Sequence, residues 1–319
     1  MIDTEIVNNE FAQDVKLGLS QKTKRLFSKY FYDEIGDKIF QDIMKMEEYY
    51  LTKSEFEIFS TQKEEILNSI AAESDDFQLI EFGAGDGLKT KILLKYFLEK
   101  KVNFEYVPID ISENVLAQLK NELAHEMPDL KVNSRVDTYF KALDSLTSKT
   151  RKVILLLGSN IGNFTKVEAE VFLTKAATKL NSGDRLMIGV DLKKHPSQIL
   201  AAYNDKNGIT KAFNLNLLTR INREFDGDFD ISKFDHYPTY DPISGETKSF
   251  IISQINQTVY IDALDLNIEF SAGEHIFMEV SKKYSLGELE ELARTCGFYV
   301  QANLLDCKQY FVDTVWVKK

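Results

Sequence analysis

The sequence predicts an α/β fold in which a doubly wound, mostly parallel sheet is interrupted by an inserted α+β domain. Short aliphatic runs alternate with helical stretches through the middle of the chain, an order typical of parallel sheets. A glycine-rich loop directly follows the first run. After Asp191 the rhythm changes, and strand-like runs return near the carboxyl end. At 319 residues the chain is about twice as long as an average domain, which leaves room for both parts.

Four short apolar runs predict strands that are buried on both faces. The runs are Gln78–Phe82, Phe104–Ile109, Val153–Leu157 and Leu186–Val190. Helices are expected between them, because Ser112 is a start signal for one and Thr165 with Glu168 forms a capping box for another. Thr52 with Glu55 predicts a further capping box, at the helix that leads to the first strand.

The segment from 192 to about 283 predicts a mixture of helices and antiparallel strands. The expected elements are a helix started by Pro196, a helix over Thr210–Phe225, a turn-rich region with Pro238, Pro242 and Gly245, a strand over Leu264–Phe270, a turn at Ser271–Glu274 and a returning strand over Ile276–Val280. Beyond this insertion, Ser285 with Glu288 predicts a capped helix, and Phe298–Ala302 and Phe311–Val317 predict two closing strands.

Composition and charge exclude several function classes. The chain has 39 basic and 50 acidic side chains, a net charge of −11, and its basic residues occur singly or in pairs. Neither nucleic acid nor an anionic membrane is therefore expected as a partner. The longest aliphatic run, Val153–Leu157, is too short to span a bilayer, and the first residues have no signal-peptide pattern, so a cytoplasmic protein is expected. Cys296 and Cys307 have no metal-ligand spacing, and no metal site is expected.

The glycine loop Glu81–Gly87 follows the first strand and precedes a helix predicted over Leu88–Leu98. Its three glycines allow a sharp turn and close approach of a ligand to the backbone, and the helix start offers unpaired N–H groups. A dinucleotide fingerprint would require its third glycine at position 88, which is Leu88. The acidic Glu81 before the first glycine suits a cationic ligand better than a pyrophosphate.

Asp110 ends the second predicted strand, 27 residues after Gly83, where an acidic side chain typically accepts from the hydroxyls of a ribose. The plainer alternative is a tight strand-to-helix turn followed by an N-cap-like aspartate. Because strand, loop, helix and acidic residue occur in the expected order, the pattern resembles the class I S-adenosylmethionine (SAM)-dependent methyltransferases. A methyltransferase is favoured over a dehydrogenase.

Further blocks resemble the histidine-specific N-alpha-methyltransferase family of ergothioneine biosynthesis. These blocks are Glu48–Glu55, Tyr106–Ser112, Leu157–Phe164, Ala202–Tyr203, Phe213–Asn216, and Ala272–Glu274 with Glu279–Ser281. The resemblance runs from about Phe31 to Trp316. It implies a Rossmann-like class I methyltransferase domain that binds SAM (55–191 plus 284–319) and a substrate-binding domain (1–54 plus 192–283), with the amino acid between them. It also implies three successive transfers to the α-amino group of histidine.

The resemblance implies roles for individual residues as well. It matches Tyr32, Asn163 and Tyr203 to the catalytic positions that hold the amino and carboxylate groups, Tyr49, Glu279 and Ser281 to those that read the imidazole, and Gly83, Gly85, Lys89, Asp110 and, loosely, Asp137 and Tyr139 to cofactor contacts. Glu279 and Ser281 are two apart on a predicted strand, so they share a face, and a carboxylate beside a hydroxyl can engage an imidazole. A solvated sheet face is the plainer alternative.

Ser249 departs from the family pattern. It stands where a larger apolar residue, methionine, is expected against the substrate side chain. A smaller polar residue enlarges the pocket or adds a hydrogen bond, so transfer to a ring nitrogen of histidine, or to another amino acid, stays open. A non-catalytic SAM-binding regulator is a third hypothesis, disfavoured because the polar set is intact. The expected partner is a small-molecule amino acid, and a monomer is expected.

Overall fold

The structure is a computed structural model that describes residues 9–71, 76–146 and 150–319. Residues 1–8, part of the predicted substrate domain, lie outside the described residues. The chain divides into two compact units, which we call the insertion unit (Met1–Tyr50 with Lys194–Ser281) and the sheet unit (Leu51–Lys193 with Lys282–Lys319). The expected boundaries, after residues 54, 191 and 283, fall a few residues from these divisions. Which ligand each unit binds stays a prediction.

The helices and strands are as follows. The helices are α1 (Glu10–Leu19), α2 (Glu34–Lys45), α3 (Tyr50–Thr61), α4 (Lys63–Ala71), α5 (Thr90–Glu99), α6 (Glu113–Glu126), α7 (Tyr139–Ser145), α8 (Lys166–Ala177), α9 (Pro196–Tyr203), α10 (Ile209–Phe225) and α11 (Leu286–Thr295). The strands are β1 (Phe77–Phe82), β2 (Phe104–Asp110), β3 (Lys131–Val132), β4 (Arg135–Val136), β5 (Arg151–Leu156), β6 (Arg185–Asp191), β7 (Phe234–Asp241), β8 (Glu246–Ser253), β9 (Gln257–Ile261), β10 (Leu266–Phe270), β11 (His275–Lys282), β12 (Phe298–Leu305) and β13 (Phe311–Lys318).

The sheet unit is built on one large sheet of strand order β12-β13-β6-β5-β1-β2-β3, in which β4 also pairs with β2. The pairs β1–β2, β1–β5 and β5–β6 are parallel, whereas β13 runs antiparallel to both β6 and β12. Every residue of β1 and β6 is buried, as expected of strands covered on both faces. The predicted sheet of mostly parallel strands, with its two closing strands, is confirmed.

Local start signals fix several helices of the sheet unit. The Ser112 side chain accepts from the N–H of Val115, so it is the N-cap of α6. Both halves of the Thr165–Glu168 capping box are formed at α8. Ser285 and the glutamate three residues later form the same box at α11. These predictions hold because each cap satisfies orphan backbone N–H groups with atoms only three residues away.

The capping box predicted for Thr52 and Glu55 is wrong. Helix α3 already begins at Tyr50, so both residues lie inside it, and Glu55 is only 1% exposed. The buried residues of α3 are Leu51, Ser54, Glu55, Ile58 and Phe59. This spacing is that of a single helix face, and it places Glu55 on the side of the helix that packs inward.

The insertion unit combines helices α1, α2, α9 and α10 with two small sheets of order β11-β8-β7 and β10-β9. Its core contains Phe31, Leu217, Ile251 and Ile276, all fully buried. The predicted helices at Pro196 and Thr210–Phe225 are found as α9 and α10. The unit therefore has its own hydrophobic core, separate from that of the large sheet.

Two predictions for this unit are wrong, namely that Pro238 lies in a turn-rich region and that Ser271–Glu274 closes a hairpin. The region around Pro238 is an edge strand, β7, which forms an antiparallel hairpin with β8. An edge strand tolerates proline because one row of its N–H groups faces away from the ladder. The hairpin expected through Ser271–Glu274 is not formed, since β10 pairs with β9 while β11 belongs to the other sheet. The turn instead forms backbone hydrogen bonds with the end of β8. The carbonyl of Ser253 accepts from the N–H of Gly273, and the N–H of Ser253 donates to the carbonyl of Glu274.

The helices in the described parts of the chain are too short or too polar to cross a bilayer.

Candidate functional site

The glycine loop between β1 and α5 adopts the left-handed backbone that its glycines allow. Gly83 has φ +68° and Gly85 has φ +53°. The N–H of Gly83 donates to the carbonyl of Ile109 at 2.8 Å, which ties the loop to the end of β2. Apart from its chain neighbours, no atom of the described residues lies within 4 Å of the point that a Cβ on Gly85 would occupy. The loop thus leaves open space beside its backbone, where a ligand can approach closely.

Asp110 lies beside this loop, at the carboxyl end of β2. Its carboxylate accepts from the N–H of Ser112 at 3.0 Å and from the N–H of Gly85 at 3.3 Å. The backbone carbonyl of Asp110 accepts from the N–H of Asp137 at 3.2 Å. A carboxylate has about four lone-pair sites, so these contacts fix its position and leave capacity to accept from a ligand.

Tyr139 completes the same group of residues. Its ring stacks on Phe82 with 4.5 Å between the ring centroids. The Tyr139 hydroxyl lies 3.0 Å from the point that a Cβ on Gly83 would occupy. Burial, and then the charge of Asp110, raise the pKa of Tyr139 above its ordinary value. The structure therefore brings together five predicted cofactor residues, namely Gly83, Gly85, Asp110, Asp137 and Tyr139.

Glu81 does not have the role that the sequence suggested. Its side chain is 4% exposed and lies in the interior of the sheet unit, where it accepts from Thr90 Oγ1 at 2.7 Å and from the Tyr106 hydroxyl at 2.5 Å. Burial raises the pKa of Glu81 to about 7, against the opposing effect of these hydrogen bonds. Its carboxyl group therefore links the start of α5 to β1 and β2 in the interior of the unit.

Lys89 and Asn163 lie at two other loops of the sheet unit. The Lys89 ammonium forms an ion pair with Glu55, and its Nζ is 3.7 Å from the point that a Cβ on Gly158 would occupy. Asn163 is exposed and ends the short 3-10 helix that follows β5. Both are at the carboxyl side of parallel strands, the position where open α/β sheets bind ligands.

In the insertion unit, Tyr203 and Ser281 are in direct contact. The Tyr203 hydroxyl donates to Ser281 Oγ at 2.9 Å, and both residues are buried. Tyr203 is the last residue of α9 and Ser281 is near the end of β11. The two residues are 78 apart in sequence, so the helix and the strand each contribute one hydroxyl to the same place.

Tyr32 is near Glu279 and Tyr203. Its ring makes edge contacts with Phe40 and Phe213, with centroids 5.5 and 5.7 Å away, and the residue is 46% exposed. Desolvation of the phenol raises its pKa well above the ordinary value, and the neighbouring charge of Glu279 adds to this effect. A phenol in this setting stays protonated near neutral pH and can donate a hydrogen bond.

Tyr49 lies near Tyr32 and Tyr203, and Ser249 lies on β8. Tyr49 has an edge contact with Phe40, at 6.4 Å between centroids, and it packs against the small cluster that contains Tyr203. Ser249 is buried on β8, opposite Pro238 of β7.

The sequence reasoning missed several residues of these groups. Phe40 and Phe213 form the aromatic wall behind Tyr32, and Glu55 and Asp313 surround Lys89. Two signals were available. Glu55 falls on the buried face of α3, and Asp313 is a charged residue within the buried part of the closing strand β13. A charged residue at a position predicted to be buried marks a polar contact in the interior.

Glu57, Asp306 and Cys307 have possible metal-ligand atoms within 4.8 Å of one another. Their contacts have a simpler explanation. Asp306 accepts from the backbone N–H groups of Tyr310 and Phe311, and Glu57 accepts from that of Cys307. The group is therefore held together by the turn between β12 and β13.

Sequence comparison identifies the family. The profile of the histidine-specific, SAM-dependent methyltransferases matches residues 11–318. The chain belongs to this family. This membership confirms the predicted family, the predicted class of enzyme and SAM as the methyl donor. A small-molecule substrate is consistent with the family. A histidine N-alpha-methyltransferase of Mycolicibacterium smegmatis is 33% identical over 272 residues, which cover 85% of this chain and 84% of that protein.

Relatives of lower identity differ from this chain in length or carry a different enzyme name. The ergothioneine biosynthesis protein 1 of Schizosaccharomyces pombe is 29% identical over 287 residues, covering 88% of this chain and 37% of that protein. An L-tryptophan methyltransferase of Psilocybe serbica is 25% identical over 314 residues, covering 91% and 87%. Among solved structures, a magnesium protoporphyrin IX methyltransferase of Synechocystis with bound SAM has a TM-score of 0.46 at 9% identity, covering 92% and 95%.

Proposed function

We propose that the chain transfers three methyl groups in succession from SAM to the α-amino nitrogen of L-histidine, giving N-alpha-trimethylhistidine (hercynine). The observation that carries this proposal is the match to histidine-specific methyltransferases over residues 11–318. Two relatives at 33% identity are named histidine N-alpha-methyltransferases. Their names support the α-nitrogen as the atom that is methylated.

The residues around the glycine loop fit the cofactor. SAM supplies, when bound, an electrophilic methyl group on a sulfonium. Asp110 would accept from the hydroxyls of its ribose, since the carboxylate is fixed by two N–H donors and keeps lone pairs in reserve. Gly83 and Gly85 would allow its approach to the backbone, and Lys89 would bind its carboxylate. Tyr139 and Asp137 complete the adenosine side of the site.

The polar group of the insertion unit fits an imidazole. Glu279 would accept from a ring N–H, and its charge favours a protonated or N–H-donating ring. Ser281 would contact the second ring nitrogen, with its hydroxyl held in place by the donated hydrogen bond from Tyr203. Tyr49 would pack against the ring. A site built of paired polar groups rejects side chains that leave those groups without a partner.

The amino group has to be aligned with the methyl donor and to keep its lone pair free. Orientation alone supplies a large part of the rate enhancement in such a displacement. Asn163, Tyr203 and Tyr32 would orient the amino and carboxylate groups as hydrogen-bond partners. Tyr32 would act as a donor, because a phenol is protonated at neutral pH. The proton of the substrate ammonium is lost to solvent, so no strong base is required.

Ser249 supports a second candidate function, in which another amino acid or a ring nitrogen of histidine is methylated. The serine is buried where the family pattern has a larger apolar residue, and a related protein is named as a tryptophan methyltransferase. The two candidates differ in the side chain that is accepted and in the nitrogen that is labelled.

The test is mass spectrometry after the protein is incubated with SAM and each of the twenty amino acids separately. The proposal expects histidine alone to gain mass equal to three methyl-for-hydrogen exchanges, with fragmentation that places all three on the α-nitrogen. Heat-inactivated protein is the control. A single methyl on the imidazole, or preferential use of tryptophan, would support the second candidate and contradict the first.

A further inference from the structure

Glu55 connects two ligand-binding loops of the sheet unit. Its carboxylate accepts from the N–H of Gly158 at 2.8 and 3.2 Å through its two oxygens, and one oxygen also forms the ion pair with Lys89. Gly158 begins the loop that carries Asn163, and Lys89 ends the glycine loop. One buried carboxylate thus holds both loops at the same point.

The space for this carboxylate is created by a missing side chain. A Cβ on Gly189, in β6, would overlap Glu55 Oε1 and would lie 3.2 Å from Asp313 Oδ1. Asp313 is the residue paired with Gly189 across β13 and β6. Because Gly189 has no side chain, the carboxyl groups of Glu55 and Asp313 lie against the sheet together.

Asp313 is fully buried, and neither of its oxygens has a hydrogen-bond donor among the described residues. Its carboxyl group lies beside that of Glu55, because both groups face the position that a Cβ on Gly189 would occupy. Burial, and then the charge of Glu55, raise the pKa of Asp313 well above its ordinary value. A raised pKa favours the neutral, protonated form of Asp313, and a protonated carboxyl group can donate to the neighbouring Glu55.

The charges of the cluster then balance. Burial alone would lower the pKa of Lys89, but the neighbouring carboxyl groups, Glu55 first among them, outweigh it and raise the pKa. With Asp313 protonated, the cluster would hold one ammonium, one carboxylate and one neutral acid. An ammonium has three N–H donors, so Lys89 can bind Glu55 and still donate to a second anionic group.

We propose that Glu55, packed against Gly189 and Asp313, is a positioning residue that fixes Lys89 for the carboxylate of the cofactor and fixes the start of the Asn163 loop. This inference rests on the proposed function, because it takes Lys89 as the cofactor contact. Pre-positioned donors lower the entropy lost on binding, so cofactor affinity depends on a residue that does not touch the cofactor.

The experiment measures the affinity of S-adenosylhomocysteine by calorimetry, which needs no histidine and no turnover. We expect Glu55→Gln to weaken binding at least tenfold, because the neutral amide no longer attracts the ammonium. Asp313→Asn should stay within about threefold of the wild type, since its amide still donates to Glu55. Glu64→Gln, an exposed change on the neighbouring helix α4, is the control. Melting temperatures report whether each variant is folded.

A double-mutant cycle separates positioning from general stability. In a Lys89→Met background, Glu55→Gln should have no further effect on affinity, because Glu55 acts through Lys89. Additive losses, or wild-type affinity in Glu55→Gln, would overturn the proposal, as would an Asp313→Asn variant that binds as weakly as Glu55→Gln.

If Glu55→Gln does not fold, Glu55→Asp replaces it. We expect Glu55→Asp to lose three- to tenfold in affinity, and unchanged affinity would overturn the proposal. Failure of histidine to be methylated would refute the proposed function and leave this binding result unaffected.

Discussion

The two units present their candidate site residues in different ways. In the sheet unit, the residues proposed to bind the cofactor follow from backbone geometry, since Gly83 and Gly85 have positive φ and Asp110 ends a parallel strand. In the insertion unit, the proposed substrate residues are side chains from distant segments, with Tyr203 on a helix and Ser281 on a strand 78 residues later. The proposed cofactor site thus rests mainly on a local motif, whereas the proposed substrate site depends on tertiary contacts.

This difference predicts that the two functions can be changed independently. A substitution in the insertion unit should alter the use of histidine and leave cofactor affinity intact. A substitution at the glycine loop or at the end of β2 should alter cofactor affinity first. The following predictions, in decreasing order of expected effect, test this separation.

Glu279→Ala should lower kcat/KM for histidine by about a thousandfold, because a site built to hydrogen bond the substrate loses its charged acceptor. The affinity of S-adenosylhomocysteine should change less than about twofold. Steady-state kinetics and calorimetry measure the two quantities. Glu269→Ala, an exposed glutamate of the same unit, is the matched control. Equal losses of histidine use and cofactor affinity would show that the functions are not separable.

The stability of the two units should depend on pH in opposite directions. Burial lowers the pKa of His236 in the insertion unit to about 4, so its stabilising contribution is present above pH 6.5 and is lost as the pH falls through 4. Burial raises the pKa of Glu81 in the sheet unit to about 7, so its contribution is present below pH 4.5 and is lost as the pH rises through 7. Each shift corresponds to about 3 kcal/mol.

Hydrogen exchange detected by mass spectrometry resolves this effect by segment. On going from pH 7.5 to pH 5, after correction for intrinsic exchange rates, protection should increase in β1 and β2 and decrease in β7 and α10. In Glu81→Gln the sheet unit should lose part of this dependence, since Asp313 in the same unit also has a raised pKa. A uniform change of protection across both units would contradict the assignment of the two groups.

Asp110→Asn should weaken the affinity of S-adenosylhomocysteine about tenfold to a hundredfold, since hydrogen bonds to a charged acceptor are replaced by weaker ones. The KM for histidine at saturating SAM should be nearly unchanged. Glu113→Gln, an exposed substitution three residues further on, is the control. Wild-type cofactor affinity in Asp110→Asn would remove this residue from the proposed cofactor site.

Tyr203→Phe should raise the KM for histidine about three- to tenfold, because it removes the hydroxyl that donates to Ser281 at 2.9 Å. Cofactor affinity should not change. The exposed Tyr237→Phe serves as the control. If Tyr203→Phe alters cofactor affinity and leaves KM unchanged, the contact has no part in holding the substrate.

The parts of the fold that could be predicted from the sequence are those fixed by local interactions. The capping boxes at Thr165 and Ser285 involve atoms three residues apart, and both are confirmed. The same local pattern at Thr52 and Glu55 failed, because Glu55 is bound instead by Lys89 and by the N–H of Gly158, 103 residues away. A local motif predicts structure only where no stronger tertiary contact competes for the same side chain.

The wrong hairpin prediction has a similar cause. The residues of β10 and β11 alternate as two paired strands would, but alternation shows only that each strand has one buried face. Which strand pairs with which was decided by the backbone bonds from Ser253 to Gly273 and Glu274. The proximity of the proposed substrate residues could not be predicted from local patterns either. The family resemblance assigned these residues, and neither periodicity nor spacing predicts that Tyr32 lies close to Glu279.

The most direct test of the account is a two-dimensional NMR spectrum of the product formed from histidine and SAM with a ¹³C-labelled methyl group. The account predicts a single methyl resonance from three equivalent labelled groups, with a long-range correlation to the α-carbon of histidine. Labelled methyl groups that correlate with the imidazole carbons, or histidine that remains unlabelled while another amino acid is methylated, would contradict it.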